Sequence, residues 1–153
     1  MSIEARLKEL GIILPGPPKP LGSYVPCIRT GNLVFLSGML PLKEGKLLAA
    51  GKVGKEVSIE HAQAACRQSV VNALSVLKSF LGDLDRVDQC VKITGYVSSA
   101  DDFVQQPLVL NAASELLFEI YGDKGRHVRA AVGVSVLPLN SPVEIDFIFA
   151  VRD

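Results

Sequence analysis

The chain has 153 residues, of which 48% are hydrophobic, and it carries 16 basic and 16 acidic side chains. This length and apolar content predict a single folded domain over residues 1–153 and argue against disorder. The balanced charge provides no basic face, so we expect neither a nucleic acid nor a membrane as partner. A chain without net charge is also prone to self-association, which favours an oligomer that hides apolar surface.

The cysteines and the N-terminus both indicate a cytoplasmic protein. Cys27, Cys66 and Cys90 lie far apart and match neither a metal-binding nor a disulfide spacing. We therefore expect reduced thiols in an intracellular compartment. The first residues are charged and lack the apolar core of a secretory signal, and no apolar run approaches the ~20 residues of a membrane span.

Residues 1–20 are predicted to form a short helix and a rigid connector. Ser2 is a typical N-cap, and Gly11 suits the position after a helix that ends at Leu10. The stretch "LPGPPKP" then contains four prolines. Because proline removes backbone donors and fixes φ, this stretch is expected to be extended and unpaired.

The next part of the chain alternates between strand and helix patterns. Two strands are predicted over Val25–Arg29 and Leu33–Ser37, joined by a glycine-containing turn, and a weaker third strand over Lys46–Ala50. Apolar residues then recur at intervals of three and four, which predicts a long helix from Ser58 to Gly82.

The remaining pattern completes an α+β domain. The stretch "DRVDQCVKITGYVSS" alternates like a strand, and a second helix should begin at Pro107 and end at Gly122. Two final strands are predicted over Val128–Leu137 and Val143–Val151. This order predicts two helices packed on one face of a sheet.

The stretch "HVRAAVGVSVLP" raises the main functional question, because it places Arg129 at the head of an apolar strand. By strand alternation, the valines from Val128 to Val136 share one face, which we expect to meet the helices. His127 and Arg129 share the other face with small residues, which would admit a ligand or another chain. Arg129 could hold a ligand carboxylate through its planar donors, or it could form a structural ion pair.

Other candidates for chemistry are few. Glu144 and Asp146 lie opposite the apolar residues of the last strand, where Glu144 could handle a proton or simply face solvent. His61 has the position of a surface residue, and His127 could line a site or end a strand. Neither histidine has neighbours spaced for a metal, so no metal site is predicted.

Four stretches, taken in order, resemble a known family. "SYVPCIRTGNLVFLSGMLP" resembles the opening motif of the Rid, or YjgF-like, reactive-intermediate deaminases. "VKITGYVSSADDF" is similar to a later strand of that family, and "NAASELLF" is similar to its second helix. "VRAAVGVSVLPLNSPVEIDFIFAV" resembles its C-terminal strands, so that the likeness runs over roughly residues 22–152.

The resemblance implies a fold, an assembly and a reaction. The fold would be the chorismate-mutase-like α+β fold with a mixed sheet, and the assembly a homotrimer with sites in clefts between subunits. The reaction would be hydrolysis of 2-imino acids, or their enamine tautomers, to 2-oxo acids and ammonia, without a metal or an organic cofactor. The same cleft could instead bind a 2-oxo acid or related carboxylate without turnover, as a regulatory protein would.

The resemblance also assigns roles to residues. The carboxylate-binding arginine of the family falls on Arg129, and its acid near the attacking water falls on Glu144. Its lid tyrosine falls on Tyr24, its serine before a glycine turn on Ser37, and its helix asparagine on Asn111.

Three departures from the family pattern bear on the site. Ala131 stands where the family often has cysteine, which removes a thiol but keeps the backbone groups that could orient water or substrate. A few residues are inserted before the second helix, and residues 1–20 are absent from the shortest members. A ribonuclease role, attached to some relatives, is disfavoured by the balanced charge and by the absence of a paired histidine acid and base.

Overall fold

The computed structural model describes all 153 residues, and its helices begin and end at the predicted residues, except that the last begins at Gln106, one residue before Pro107. The helices are α1 (Ile3–Glu9), α2 (Ile59–Leu81) and α3 (Gln106–Tyr121). Ser2 and Ser58 each accept a hydrogen bond from a backbone N–H of the first turn, at 3.1 Å in both cases. These side-chain caps satisfy donors that a helix leaves unpaired at its start. None of the three helices is long and apolar enough to cross a bilayer.

Seven strands form one large sheet and one small hairpin. The strands are β1 (Cys27–Thr30), β2 (Leu33–Met39), β3 (Leu42–Lys43), β4 (Lys46–Leu47), β5 (Val87–Ser98), β6 (Val128–Val134) and β7 (Val143–Val151). The large sheet has the order β1-β2-β7-β5-β6, with β5 and β6 parallel and all other pairs antiparallel. This confirms a mixed sheet, and strands β3 and β4 pair only with each other.

Several predicted strand boundaries were wrong. The strand predicted over Lys46–Ala50 shrinks to two residues, because a turn with positive φ at Glu44 and Gly45 folds the segment into a tight hairpin. Strand β1 starts two residues later than predicted, and β2 continues two residues further. Strand β6 ends at Val134 rather than Leu137, before a short 3₁₀ turn that begins at Pro138.

Helices α2 and α3 cover one face of the sheet, as predicted, and enclose a core of aliphatic and aromatic side chains. Helix α1 is a third helix, held at the edge of this layer by buried Leu7 and by a 2.7 Å bond from the Ile3 N–H to the Asp85 carboxylate. The connector is tied to α2 where the Ser75 hydroxyl donates to the carbonyl of Pro15 at 2.5 Å.

The prediction of which face of β6 meets the helices was wrong. The valine face is turned away from them, with Val128 66% exposed and Val132 40% exposed. The small-residue face packs under α3 instead: a Cβ added to Gly133 would come within 2.8 Å of the Gln106 amide nitrogen. On the neighbouring strand, a Cβ on Gly95 would come within 2.5 Å of the Leu110 side chain. Small residues are therefore required here so that the helix can approach the sheet closely.

Candidate functional site

Arg129 is held on the helix face of the sheet by neutral acceptors only. Its Nη1 donates to the Ser114 hydroxyl at 3.0 Å, and its Nη2 donates to Asn111 Oδ1 at 2.7 Å and to the Pro107 carbonyl at 3.3 Å. None of the seven ion pairs in the molecule includes Arg129. The structural ion pair, one of the two predicted explanations, is therefore not present within the chain. A half-buried guanidinium without a carboxylate partner favours the binding of an anion.

His127 extends this arrangement through Ser114. Nδ1 of His127 lies 2.7 Å from the carbonyl of Gly125, which can only accept, so Nδ1 carries a proton. Nε2 lies 2.8 Å from the Ser114 hydroxyl. Burial lowers the pKa of His127, and the nearby Arg129 charge lowers it further, against the opposing effect of the Gly125 hydrogen bond. In the neutral ring, Nε2 accepts from Ser114, which leaves the serine oxygen to accept from Arg129.

We call Arg129, Asn111 and Ala131 the arginine cluster. Ala131 follows Arg129 on the same face of β6, where its methyl group packs against the core below α3. Asn111 projects from α3 and fixes the guanidinium from above. Three hydrogen bonds leave at least two of the five guanidinium N–H donors free for a ligand.

A second group of predicted residues lines a separate cavity of about 250 Å³, which we call the glutamate cavity. Tyr24, Ser37 and Glu144 all face it. The Ser37 hydroxyl donates to the carbonyl of Val25 at 2.8 Å, which ties β2 to the segment before β1. A Cβ on Gly38 would come within 2.9 Å of the Glu144 carboxyl carbon, so only glycine lets Glu144 lie across the strand.

Burial raises the pKa of Glu144 above its ordinary value of 4.5, and repulsion from Asp146 adds to the effect. Asp146 in turn accepts a 3.0 Å hydrogen bond from the Tyr96 hydroxyl. Burial and this hydrogen bond to Asp146 raise the pKa of Tyr96. Glu144 is therefore a carboxyl group that takes up a proton more readily than a surface glutamate, as a general base or acid requires.

The arginine cluster and the glutamate cavity lie on opposite faces of the sheet. Strand β5 separates β6 from β7, with Arg129 paired to Ile93 and Glu144 paired to Tyr96. Residues three apart on a strand point to opposite faces, and they are separated by about 10 Å along it. Strands β6 and β7 are therefore not direct neighbours. Within one chain, however, the two side chains do not meet.

Other parts of the surface are weaker candidates for a functional site. A wider groove of about 740 Å³ lies between α1 and α3, but its Arg6 and Arg152 are already bonded to carboxylates or carbonyls. His61 is exposed, as predicted. No cluster of three or more histidine, cysteine or acidic side chains is arranged to hold a metal. Ser114 was not predicted as a site residue, although it stands three residues after Asn111 and so shares its face of α3.

The fold defines an α+β domain of the YjgF type. A family model described as "YjgF/chorismate_mutase-like, putative endoribonuclease" matches residues 4–151. A crystal structure of the protein Atu1372 from Agrobacterium tumefaciens superimposes with a TM-score of 0.92 at 44% identity. The match covers 98% of this chain and 92% of that one.

Curated relatives give the same result. Protein TCP17 of Trypanosoma cruzi is 37% identical over 94% of this chain and 91% of its own length. A 2-iminobutanoate/2-iminopropanoate deaminase of Dermatophagoides farinae is 25% identical over 92% of this chain and 95% of its own. The chain belongs to the YjgF (RutC/Rid) family.

Proposed function

We propose that this protein hydrolyses 2-imino acids, or their enamine tautomers, to 2-oxo acids and ammonia. The observation that carries the proposal is the half-buried Arg129, which has neutral acceptors around it and no carboxylate partner. Its free donors match the carboxylate that every 2-imino acid carries. The name of the Dermatophagoides relative, a 2-iminobutanoate/2-iminopropanoate deaminase, agrees with this substrate class.

The reaction needs positioning more than activation. Water adds through its oxygen to the imine carbon while the imine nitrogen gains a proton, which gives a carbinolamine. The C–N bond then breaks as the hydroxyl proton passes to the amino nitrogen and the oxygen forms the C=O bond, so that ammonia leaves. Glu144 accepts the proton from water and returns it to nitrogen, a role that suits its raised pKa. Arg129 holds the carboxylate, and such a charge-assisted bond contributes about 1.5–3 kcal/mol.

The proposal requires a second copy of the chain, because Arg129 and Glu144 lie on opposite faces of one sheet. We propose a homotrimer in which each cleft takes Arg129 from one subunit and Glu144 from its neighbour. The uncovered valine face of β6 supports association, since an apolar strand face exposed to water favours burial against another copy.

The alternative is a protein that binds a 2-oxo acid in the same cleft without turnover. The raised pKa of Glu144 favours the hydrolase, because a binding site for an anion does not need a proton-accepting group beside it. We place the reaction in the cytoplasm, where the three cysteines, all buried and unpaired, would stay reduced.

The test is direct measurement of imine loss. An L-amino-acid oxidase generates 2-imino acids, and semicarbazide captures the imine that survives as an ultraviolet-absorbing product. Adding this protein should lower the captured amount. Arg129→Ala should reduce kcat/KM at least ~100-fold, since two charge-assisted bonds are lost at about 1.5–3 kcal/mol each. Arg129→Lys should also be poor, because an ammonium lacks the planar fork.

Arg126→Ala is the matched control. Arg126 is exposed, pairs with Asp123 at 3.2 Å and lies 4.4 Å above the Phe118 ring, so its loss also removes one arginine from this end of the strand. It should leave kcat/KM within about threefold of wild type. If Arg129→Ala behaves like the control, Arg129 does not bind the substrate. If wild type hydrolyses no imine but binds 2-oxo acids by calorimetry, the non-catalytic alternative is correct.

A further inference from the structure

The N-terminal connector forms part of the glutamate cavity. Pro18, Lys19, Pro20 and Leu21 line it beside Tyr24 and Glu144. The connector is fixed at both ends, by the bond from Ser75 to the carbonyl of Pro15 and by a 3.1 Å bond from the Leu21 N–H to the Tyr24 hydroxyl oxygen. Because prolines also restrict its backbone, the connector is a preorganised wall rather than a loose tail.

This wall changes the chemistry that the cavity offers. The Tyr24 oxygen accepts from the connector, so its own proton remains available to donate to a ligand. Apart from Glu144, Lys19 and the hydroxyl groups, the lining is mainly proline and aliphatic. Lys19 is exposed, which is the usual arrangement of a lysine that keeps its ammonium in water and lays its stem along a wall.

The size of the cavity limits what the wall can enclose. At about 250 Å³ it is several times the ~30 Å³ that one water takes up in the liquid, so it offers room beyond the reacting imine and its water. The imine carbon, its nitrogen and the attacking water would lie beside Glu144. The rest of the lining is mainly apolar, so a methyl group would leave many of its contacts unmade, whereas a longer aliphatic side chain would make them.

We propose that the connector Pro18–Leu21 is a specificity wall, and that the glutamate cavity selects 2-imino acids with aliphatic side chains larger than a methyl group. The inference rests on the proposed function, because it assigns the cavity to the substrate side chain. It does not depend on which subunit supplies Arg129. Three of its four residues belong to the N-terminal segment 1–20, so the preference is a property of this segment and its junction rather than of the sheet alone.

The experiment compares two imines made by the same oxidase, one from alanine and one from leucine. Wild type should hydrolyse the leucine-derived imine with a kcat/KM at least ~10-fold higher, the usual discrimination of a hydrophobic pocket. Leu42→Trp fills the cavity and should reduce kcat/KM for the leucine-derived imine ~10-fold or more, while the alanine-derived imine changes less than about threefold. Leu48→Trp is the control, since Leu48 directly follows the same small hairpin but is 47% exposed and does not line the cavity.

A second variant keeps the test valid if Leu42→Trp does not fold. Leu21→Ala opens the wall at an exposed position, so it should keep the wild-type melting temperature and lower the preference for the leucine-derived imine about three- to fivefold. Equal kcat/KM for the two imines in wild type would overturn the specificity wall but leave the hydrolase intact. The same conclusion would follow if Leu42→Trp lost kcat/KM equally for both imines. Hydrolysis of neither imine would instead reject the proposed function.

Discussion

A mixing experiment tests the proposed division of the site between two subunits. In one chain the two side chains point to opposite faces of the sheet, with β5 between their strands. Two strand spacings and a three-residue offset place their Cα atoms about 14 Å apart. Arg129→Ala and Glu144→Gln should each be inactive alone. After unfolding and co-refolding of equal amounts, mixed trimers should recover activity, because some clefts receive Arg129 from one chain and Glu144 from the other.

The expected recovery follows from random assembly. A cleft has an intact arginine in half of the cases and an intact glutamate in half, so about one quarter of the clefts are wild type in a heterologous ring. Imine capture should therefore return to about 25% of the wild-type rate, with native mass spectrometry confirming that mixed trimers formed. If both residues acted within one chain, every chain would carry one lesion. Mixed trimers without activity would thus refute the shared cleft or remove Glu144 from the reaction.

The charge and packing of the two faces set three other expected outcomes. Because burial and Asp146 raise the pKa of Glu144, kcat/KM should fall on acidification with an apparent pKa above 4.5. Asp146→Asn should shift this acidic side of the pH profile to lower pH. If the profile does not shift, the fall in kcat/KM belongs to another group. The same raised pKa means that Glu144 favours folding when protonated and loses that contribution as the pH rises, so Glu144→Gln should raise the melting temperature at pH 7 but not near pH 3. Light scattering should give about three times the 16.4 kDa chain mass, and Val132→Glu should reduce it to one chain; a monomeric wild type would remove the shared cleft.

The helices were predictable from the sequence because their signals are local. Helix α2 begins after Ser58 and ends before Gly82, as predicted. Both residues cap the helix through contacts within a single turn of backbone. The order of elements and the mixed sheet followed from alternation and from the family resemblance. Strand β3, the partner of β4, was missed because a two-residue strand carries no alternation to detect.

The orientation of β6 was not predictable from its own residues. Alternation divides a strand into two faces but does not say which one is buried. Bulky valines suggested the helix face, yet the close approach of α3 at Gly95 and Gly133 requires the small residues there. The observed orientation matters for function, because it places Arg129 beside Asn111 and Ser114 rather than on an open face.

The separation of Arg129 from Glu144 has a consequence for both side chains. Placed together in one chain, they would form an ion pair that neutralised the guanidinium and lowered the pKa of the carboxyl group. Held on opposite faces, Arg129 has no carboxylate partner in the chain, and Glu144 keeps its raised pKa. In the proposed trimer the two would meet only across a cleft, where the substrate carboxylate would take the place that Glu144 would otherwise occupy. Such a divided site would let the protein hold an anion and move a proton without one function cancelling the other.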